Sequence, residues 1–469
     1  MAGRLSRALG RLIFYALLAL IPLVAVPYGT VEPWWEALFE GAVFILGALW
    51  MVEGMLGGRW LTREHKVFLP LLLLALFAFI QTLPLPQGNS PARSLQVWSA
   101  VSADPYETQL TTLKLLALTL AGALLLRYTS NKQRLRALVL TIIGIGIVSA
   151  LFGIIRQTTQ HGAAGFILTH LPPDSGYGQF INRNHFAFLM EMALGLVLGL
   201  AVGGDARRDR LLLYAAAALP LWTSLVLSNS RGGILAMLAQ VVFIALLFTA
   251  ARSNREALGE GRSTRSSGWG RVSRWFVVRV ILTTGLIVMI LVGALWMGGD
   301  PLASRLETVP GEVMARADEA REGASRREIW RATWNLIRDH PVAGVGFGGY
   351  WAAIPQYHEA SGEVTPQQAH NDYLELLASG GVIGLALAAW FAFALLKQAR
   401  ARLRSPDPFR RGVCFGALAG MFGAAVHSAV DFGLHVTVNA LVFTALVAAA
   451  VADIQTEDGA RSSSAEVAR

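Results

Sequence analysis

The chain has 469 residues, of which 54% are apolar and only 15% charged, whereas soluble globular domains carry about a quarter charged residues. With a mean hydropathy of +0.48, this composition excludes a water-soluble globule and points to an all-α, polytopic membrane protein. The net charge of +9 is read first as a topology signal, and a single cysteine, Cys414, excludes a disulfide framework, a zinc cluster and a thiol pair.

A bilayer core of about 30 Å is crossed by about 20 apolar helical residues. Such stretches lie near 12–29, 37–56, 67–84, 110–127, 137–156, 185–203, 210–228, 232–250, 276–297, 373–396, 412–430 and 434–452, twelve in all. Arg4, Arg7 and Arg11 precede the first as in a signal peptide, but Pro27 and Tyr28 stand where a small-residue cleavage site is wanted, so this span reads as an uncleaved anchor. A cytoplasmic N-terminus puts Arg59, Arg63 and Lys66, then Arg127, Lys132, Arg134 and Arg136, then Arg207, Arg208 and Arg210 inside. Residues 251–275 and 397–411, both rich in arginine, follow the same rule. The Ser, Gly and Arg-rich stretch 251–275 reads as a flexible cytoplasmic linker, not as a nucleic-acid site.

The resulting organisation is a first membrane part, 1–297, a large periplasmic loop, 298–372, a second membrane part, 373–453, and a cytoplasmic tail, 454–469. The outward connections 85–109, 157–183 and 298–372 exceed the length of ordinary loops, which marks them as the place to look for function. Within the last, residues 313–340 read as a helix closed by Pro341, with Ile329, Trp330, Thr333, Trp334 and Ile337 on one stripe for packing or for the membrane surface.

Arginines on the outward side have no orientation role to explain them. Arg231, in Ser228-Asn229-Ser230-Arg231-Gly232-Gly233, and Arg183, in Asn182-Arg183-Asn184-His185, both stand where a span begins, so free backbone N–H groups add to the guanidinium; Gly232 and Gly233 would let a ligand approach the backbone. Arg156, at the outer end of the fifth span, and Arg327, ahead of Trp330, complete the set. A planar guanidinium fork suits phosphate, and a pyrophosphate would fit. The outer loops hold no Asp-x-Asp pair to bind a divalent metal, so no metal or other cofactor is expected.

His370, in Ala369-His370-Asn371-Asp372-Tyr373, falls at or near a helix N-cap, where the positive helix end favours a neutral imidazole able to act as general base. His185 could orient a ligand or cap its helix. Glu191 is costly in lipid and should face a cavity or a partner such as Arg156 or Arg183. His427, Asp431 and His435 have a metal-like spacing of four, but read better as a hydrogen-bonded cluster joining two spans.

These motifs resemble the O-antigen ligase and O-antigen polymerase family of bacterial envelope proteins. The matching pieces are Ser230-Arg231-Gly232, Asn182-Arg183-Asn184-His185-Phe186, Trp330 to Gly348 with Asp339-His340-Pro341 and Gly344-Val345-Gly346, His370-Asn371-Asp372-Tyr373-Leu374, and His427-Ser428 with Asp431-Phe432. The resemblance implies a membrane glycosyltransferase of C-type architecture in the bacterial inner membrane. Such an enzyme takes a glycan from undecaprenyl pyrophosphate on the periplasmic face, without metal and with inversion. It further implies that His370 is catalytic and Arg231 binds pyrophosphate, with Arg183, Arg156 and Arg327 as further pyrophosphate candidates and His185, Glu191, Asn371, Asp372 and Asp431 in support. The acceptor would be another lipid-linked glycan for a polymerase, lipid A core for a ligase, or a protein hydroxyl. Residues 298–372 carry seven Arg and Lys against eleven Asp and Glu, an acidic surface that favours the polymerase over a phosphate-rich acceptor. A transporter or lipid-linked glycan flippase is the rival from another class; the absence of a duplicated half with broken helices counts against it.

Overall fold

The computed structural model describes residues 2–58, 60–61, 63–84, 100–159, 176–203, 208–257, 326–358 and 366–454. Among these the regular structure is helical, with two isolated β-bridges and no strand. The helices are α1 (Ala2–Ala25), α2 (Pro33–Gly57), α3 (Leu69–Gln81), α4 (Pro105–Tyr128), α5 (Lys132–Thr159), α6 (Arg183–Gly203), α7 (Arg208–Leu227), α8 (Arg231–Ala257), α9 (Arg326–Asp339), α10 (Asp372–Leu403), α11 (Pro408–His427) and α12 (Thr437–Val451). Nine helices among the described residues are long and apolar enough to cross a membrane; the shorter apolar helices Arg231–Leu247 and Thr437–Val451 bring the agreement with the expected spans to eleven. The expected span near 276–297 lies outside the described residues. Leu38, Ile45, Leu76, Leu212, Leu219 and Phe393 are exposed on the outer faces of their helices, as they can be in lipid but not in water. The chain is a multi-pass membrane protein.

The tightest packing joins α6 to α11. Gly195, Gly199 and Gly203 on α6 recur every four residues and meet Gly412, Gly416 and Gly420 on α11, so closely that a Cβ on Gly199 would lie 2.1 Å from the Gly416 nitrogen. Lipid provides no hydrophobic drive between helices, and small residues allow the close van der Waals contact that replaces it. Gln240 of α8 locks onto this pair, its Nε2 donating to the carbonyls of Glu191 (2.8 Å) and Ala419 (3.0 Å). Helices α6, α8 and α11 are thereby held in fixed relation.

Helix α10 is broken. Gly381 has φ +58° and ψ −159° inside it, a backbone conformation open to glycine alone, and the groups freed by the break are taken up by residues 341–346. Val345 and Gly346 donate their N–H groups to the carbonyls of Ala378 (2.9 Å) and Ser379 (3.0 Å), while Val382 and Ile383 donate to those of Pro341 (2.9 Å) and Val342 (3.3 Å). Gln81 of α3 adds bonds from Nε2 to the carbonyls of Ala343 (2.6 Å) and Ser379 (2.9 Å). A non-helical backbone at membrane depth survives only when such partners satisfy it.

The expected helix over 313–340 is described from Arg326 to Asp339, and it ends ahead of Pro341 as expected; 313–325 lie outside the described residues. Its stripe is corrected in one respect. Ile329, Ala332, Thr333, Leu336 and Ile337 form the buried face, whereas Trp334 is exposed and Trp330 half-buried. The indole of Trp330 acts as a tether, its Nε1 donating to the Ala369 carbonyl at 3.0 Å and so tying α9 to the residue before His370.

Candidate functional site

Basic connections and the motifs around Arg183, Arg231 and His370 occupy opposite ends of the bundle. At one end Lys132 pairs with Asp407 (2.7 Å), Arg402 with Asp453 (2.9 Å), and Arg410 donates to the carbonyls of Ala450 (2.6 Å) and Ala452 (3.0 Å). At the other end three helices begin together, each with a polar cap. Asn182 Oδ1 accepts from the Asn184 N–H ahead of α6 (2.8 Å). Ser230 Oγ accepts from Gly233 N–H ahead of α8 (3.1 Å). Asn371 Oδ1 accepts from Tyr373 (3.0 Å) and Leu374 (3.1 Å) at the head of α10. Capping residues of these types are what the sequence supplies where a helix must start.

One polar chain joins the three starts. Ser230 Oγ donates to Asn184 Oδ1 at 2.8 Å, Asn184 Nδ2 donates to Asp431 Oδ2, and Asp431 Oδ1 lies 3.6 Å from His370 Nδ1. The Ser230–Arg231 turn and His370, 140 residues apart in sequence, therefore stand at one site. Asp431 also accepts from the Phe432 N–H (2.9 Å). Burial alone would raise its pKa, but His370, the Phe432 N–H and the nearby His185 outweigh it and hold the carboxyl down at about 2. It is an ionised carboxylate, 1% exposed, facing an imidazole. Phe432 stands between two histidines, its ring centroid 4.8 Å from both the His185 and the His370 ring, edge to face with each.

His370 itself precedes the N-cap, which is Asn371, and takes the left-handed conformation with φ +50°. Three contacts hold it there. Trp330 grips the Ala369 carbonyl, the Ala369 N–H donates to Glu375 Oε2 (2.8 Å), and Asn371 Nδ2 donates to the Ala429 carbonyl (2.8 Å). Asp372 accepts from Ser428 Oγ (2.6 Å) and lies 3.4 Å from His435 Nε2.

The arginines divide. Arg231 and Arg183 open α8 and α6, and both are exposed. Arg156 is buried, and its Nη1 donates to the Gly178 carbonyl at 2.7 Å, anchoring the turn that precedes Arg183. Arg327 falls in the first turn of α9, and its side chain lies outside what is described.

Two expectations are corrected. Glu191 pairs with neither Arg156 nor Arg183: its Oε1 is 2.7 Å from His427 Nδ1, with both side chains fully buried. Gly232 and Gly233 do not open the backbone to a ligand on the faces where their Cβ atoms would stand. A Cβ on Gly232 would lie 2.6 Å from His427 Nε2, and one on Gly233 would lie 2.6 Å from Ala187 Cβ. The metal-like spacing of His427, Asp431 and His435 dissolves into separate partnerships, with Glu191, with His370 and Asn184, and with Asp372 and Glu375. No group of metal-ligating side chains occurs among the described residues. The structure adds three residues that sequence reasoning misses: Asn184 and Ser230 as links, and Phe432 as the divider of the histidines. Asn184 and Ser230 lie inside recognisable motifs, but nothing local marks their mutual bond.

A family model described as O-antigen ligase, Wzy_C, matches residues 215–389, a stretch that includes Arg231, His370 and the break in α10. No curated protein matches the chain.

Proposed function

We propose, from the match of residues 215–389 to the O-antigen ligase family model, that the protein is a periplasmic-face, inverting glycosyltransferase that draws on an undecaprenyl-pyrophosphate-linked glycan. The observation that carries this reading is the polar chain from Ser230 through Asn184 and Asp431 to His370. It couples an arginine-bearing helix start to an imidazole backed by a carboxylate.

In the proposed reaction the donor lipid lies against the apolar helix faces and its pyrophosphate against Arg231 and Arg183. The positive ends of α6, α8 and α10 add to their charge. Asp431 holds the Nδ1 side of His370, leaving Nε2 to receive the proton of the acceptor hydroxyl, in the way a carboxylate fixes an imidazole's tautomer. The hydroxyl oxygen bonds to the anomeric carbon from the face opposite the pyrophosphate. The bond from that carbon to the phosphate oxygen breaks, and its electron pair leaves with the pyrophosphate, already a good leaving group, so no general acid is called for. Fixed guanidinium groups and helix ends supply the counter-charge without a metal. Arg156 supports the turn ahead of Arg183 from within the protein.

The acidic 298–372 segment favours a second lipid-linked repeat as acceptor, hence a repeat-unit polymerase of O-antigen or exopolysaccharide. Ligation to lipid A core is the second reading, favoured by the description of the matching family. Purified protein incubated with lipid-linked repeats, with and without lipid A core, separates them: ladders in both mixtures mark a polymerase, and capped lipid A core only in the second marks a ligase. No product in either, with both substrates intact, would overturn the glycosyltransferase reading. A chelator in parallel should leave transfer unchanged.

A further inference from the structure

Neither member of the most deeply buried ionisable pair among the described residues takes part in the proposed reaction. Glu191, in the third turn of α6, and His427, the last residue of α11, are both wholly buried, with Oε1 and Nδ1 2.7 Å apart. Such groups are costly within a membrane protein and persist where they do something. Three contacts tie the pair to the site. The His427 ring lies directly against Gly232, where a Cβ would come within 2.6 Å of both Cδ2 and Nε2. Glu191 Oε1 lies beneath Gly233, 3.3 Å from where its Cβ would stand. The main-chain carbonyl of His427 accepts the N–H groups of Val430 (2.9 Å) and Asp431 (3.1 Å). The ring is held flat on Phe188, with centroids 4.1 Å apart.

His427 therefore touches both halves of the site, the first turn of α8 with its ring and the Asp431 turn with its backbone. We propose that Glu191 and His427 are positioning residues for glycan transfer: the pair is the seat on which the Arg231 turn rests, and it sets the distance between the pyrophosphate-binding arginine and the His370–Asp431 couple. This rests on the proposed function. Gly232 is glycine because the seat occupies the space of its side chain.

The test uses the purified full-length protein with lipid-linked repeats, comparing wild type with Gly232→Ala, His427→Ala, Gly232→Ala/His427→Ala, Glu191→Ala and Glu191→Gln. Gly232→Ala pushes the helix start off the ring. It should raise the donor KM or lower kcat/KM by roughly 10- to 100-fold, the scale of a misplacement of about 1 Å near a reacting centre. Removing the ring in the same chain relieves the two closest collisions and leaves only a 3.0 Å approach to the tip of Val430, so the double variant should be little worse than His427→Ala alone. Glu191→Gln keeps an oxygen for His427 and should retain most activity, whereas Glu191→Ala should not. Thermal unfolding in detergent reports whether each variant is folded, and kinetics are compared per folded molecule. Additive losses in the double variant, or Gly232→Ala and Glu191→Ala both at wild-type kcat/KM, would overturn the positioning role. A wild-type protein without transferase activity would instead overturn the function beneath it.

Discussion

His370 and Asp431 face each other at 3.6 Å, Nδ1 to Oδ1, across the junction between the start of α10 and the turn after α11. The carboxylate is buried and ionised while the imidazole, with its Nδ1 turned toward that carboxylate, is about one-third exposed, at 35%. Removing the charge while keeping the shape should be costly. Asp431→Asn is expected to slow transfer roughly 10- to 100-fold, less than loss of the imidazole itself, whose contribution as a general base is of the order of 100-fold or more. Steady-state kcat with saturating donor measures this.

The same carboxylate makes stability depend on pH. Its folded pKa of about 2 lies below the ordinary 3.8, so its ionised form stabilises the fold fully above about pH 4, and that contribution is lost as pH falls through about 2. Helical circular dichroism in detergent, followed from pH 5 to 2, should show an acid transition that is reduced in Asp431→Asn.

Arg156 and Arg231 should fail in different ways. Arg156→Ala leaves the Gly178 carbonyl without its donor in a buried place and should cost about 1–3 kcal/mol of stability, seen as a lower thermal midpoint. Arg231 is exposed, so Arg231→Ala should leave the midpoint unchanged and raise the donor KM. Arg231→Lys should recover only part of the loss, since an ammonium lacks the planar fork.

The break in α10 gives a stability contrast between neighbouring glycines. A Cβ on Gly381 would lie 2.2 Å from the Val342 carbonyl oxygen at a backbone φ of +58°, whereas one on Gly384 would lie 3.2 Å from the nearest atom, the tip of the Phe347 ring. Gly381→Ala should therefore destabilise by at least about 1–3 kcal/mol and Gly384→Ala by much less. Equal thermal midpoints would show that residues 341–346 are not seated in the break.

Spans are legible in the sequence because hydropathy is local and each needs only its own 20 or so residues. The helix starts at Arg183, Arg231 and Asp372 are legible too, since Asn182, Ser230 and Asn371 carry capping chemistry within a residue or two. What joins them is not. The Asn184 to Asp431 bond spans 247 residues and the His427 to Glu191 pair 236, and no local period announces such partners. Glu191 stands out as a carboxylate in an apolar run, yet charge alone points to an arginine partner when geometry is unknown, and the partner is a histidine. The glycines at 195, 199 and 203 and at 412, 416 and 420 do carry a helix-contact spacing, readable in principle, although which helix meets which is a property of the whole bundle. Trp334 sits on the right stripe by period, but α9 turns Ala332 and Leu336 inward instead.

The central claim is that an imidazole at position 370 moves the acceptor proton at a site shared with Arg231. Purified His370→Ala protein, folded by thermal unfolding and given saturating lipid-linked repeats, measures it in a single rate. Transfer slower than wild type by about 100-fold or more, with donor binding retained, is the expected result; transfer at a near wild-type rate would contradict the claim.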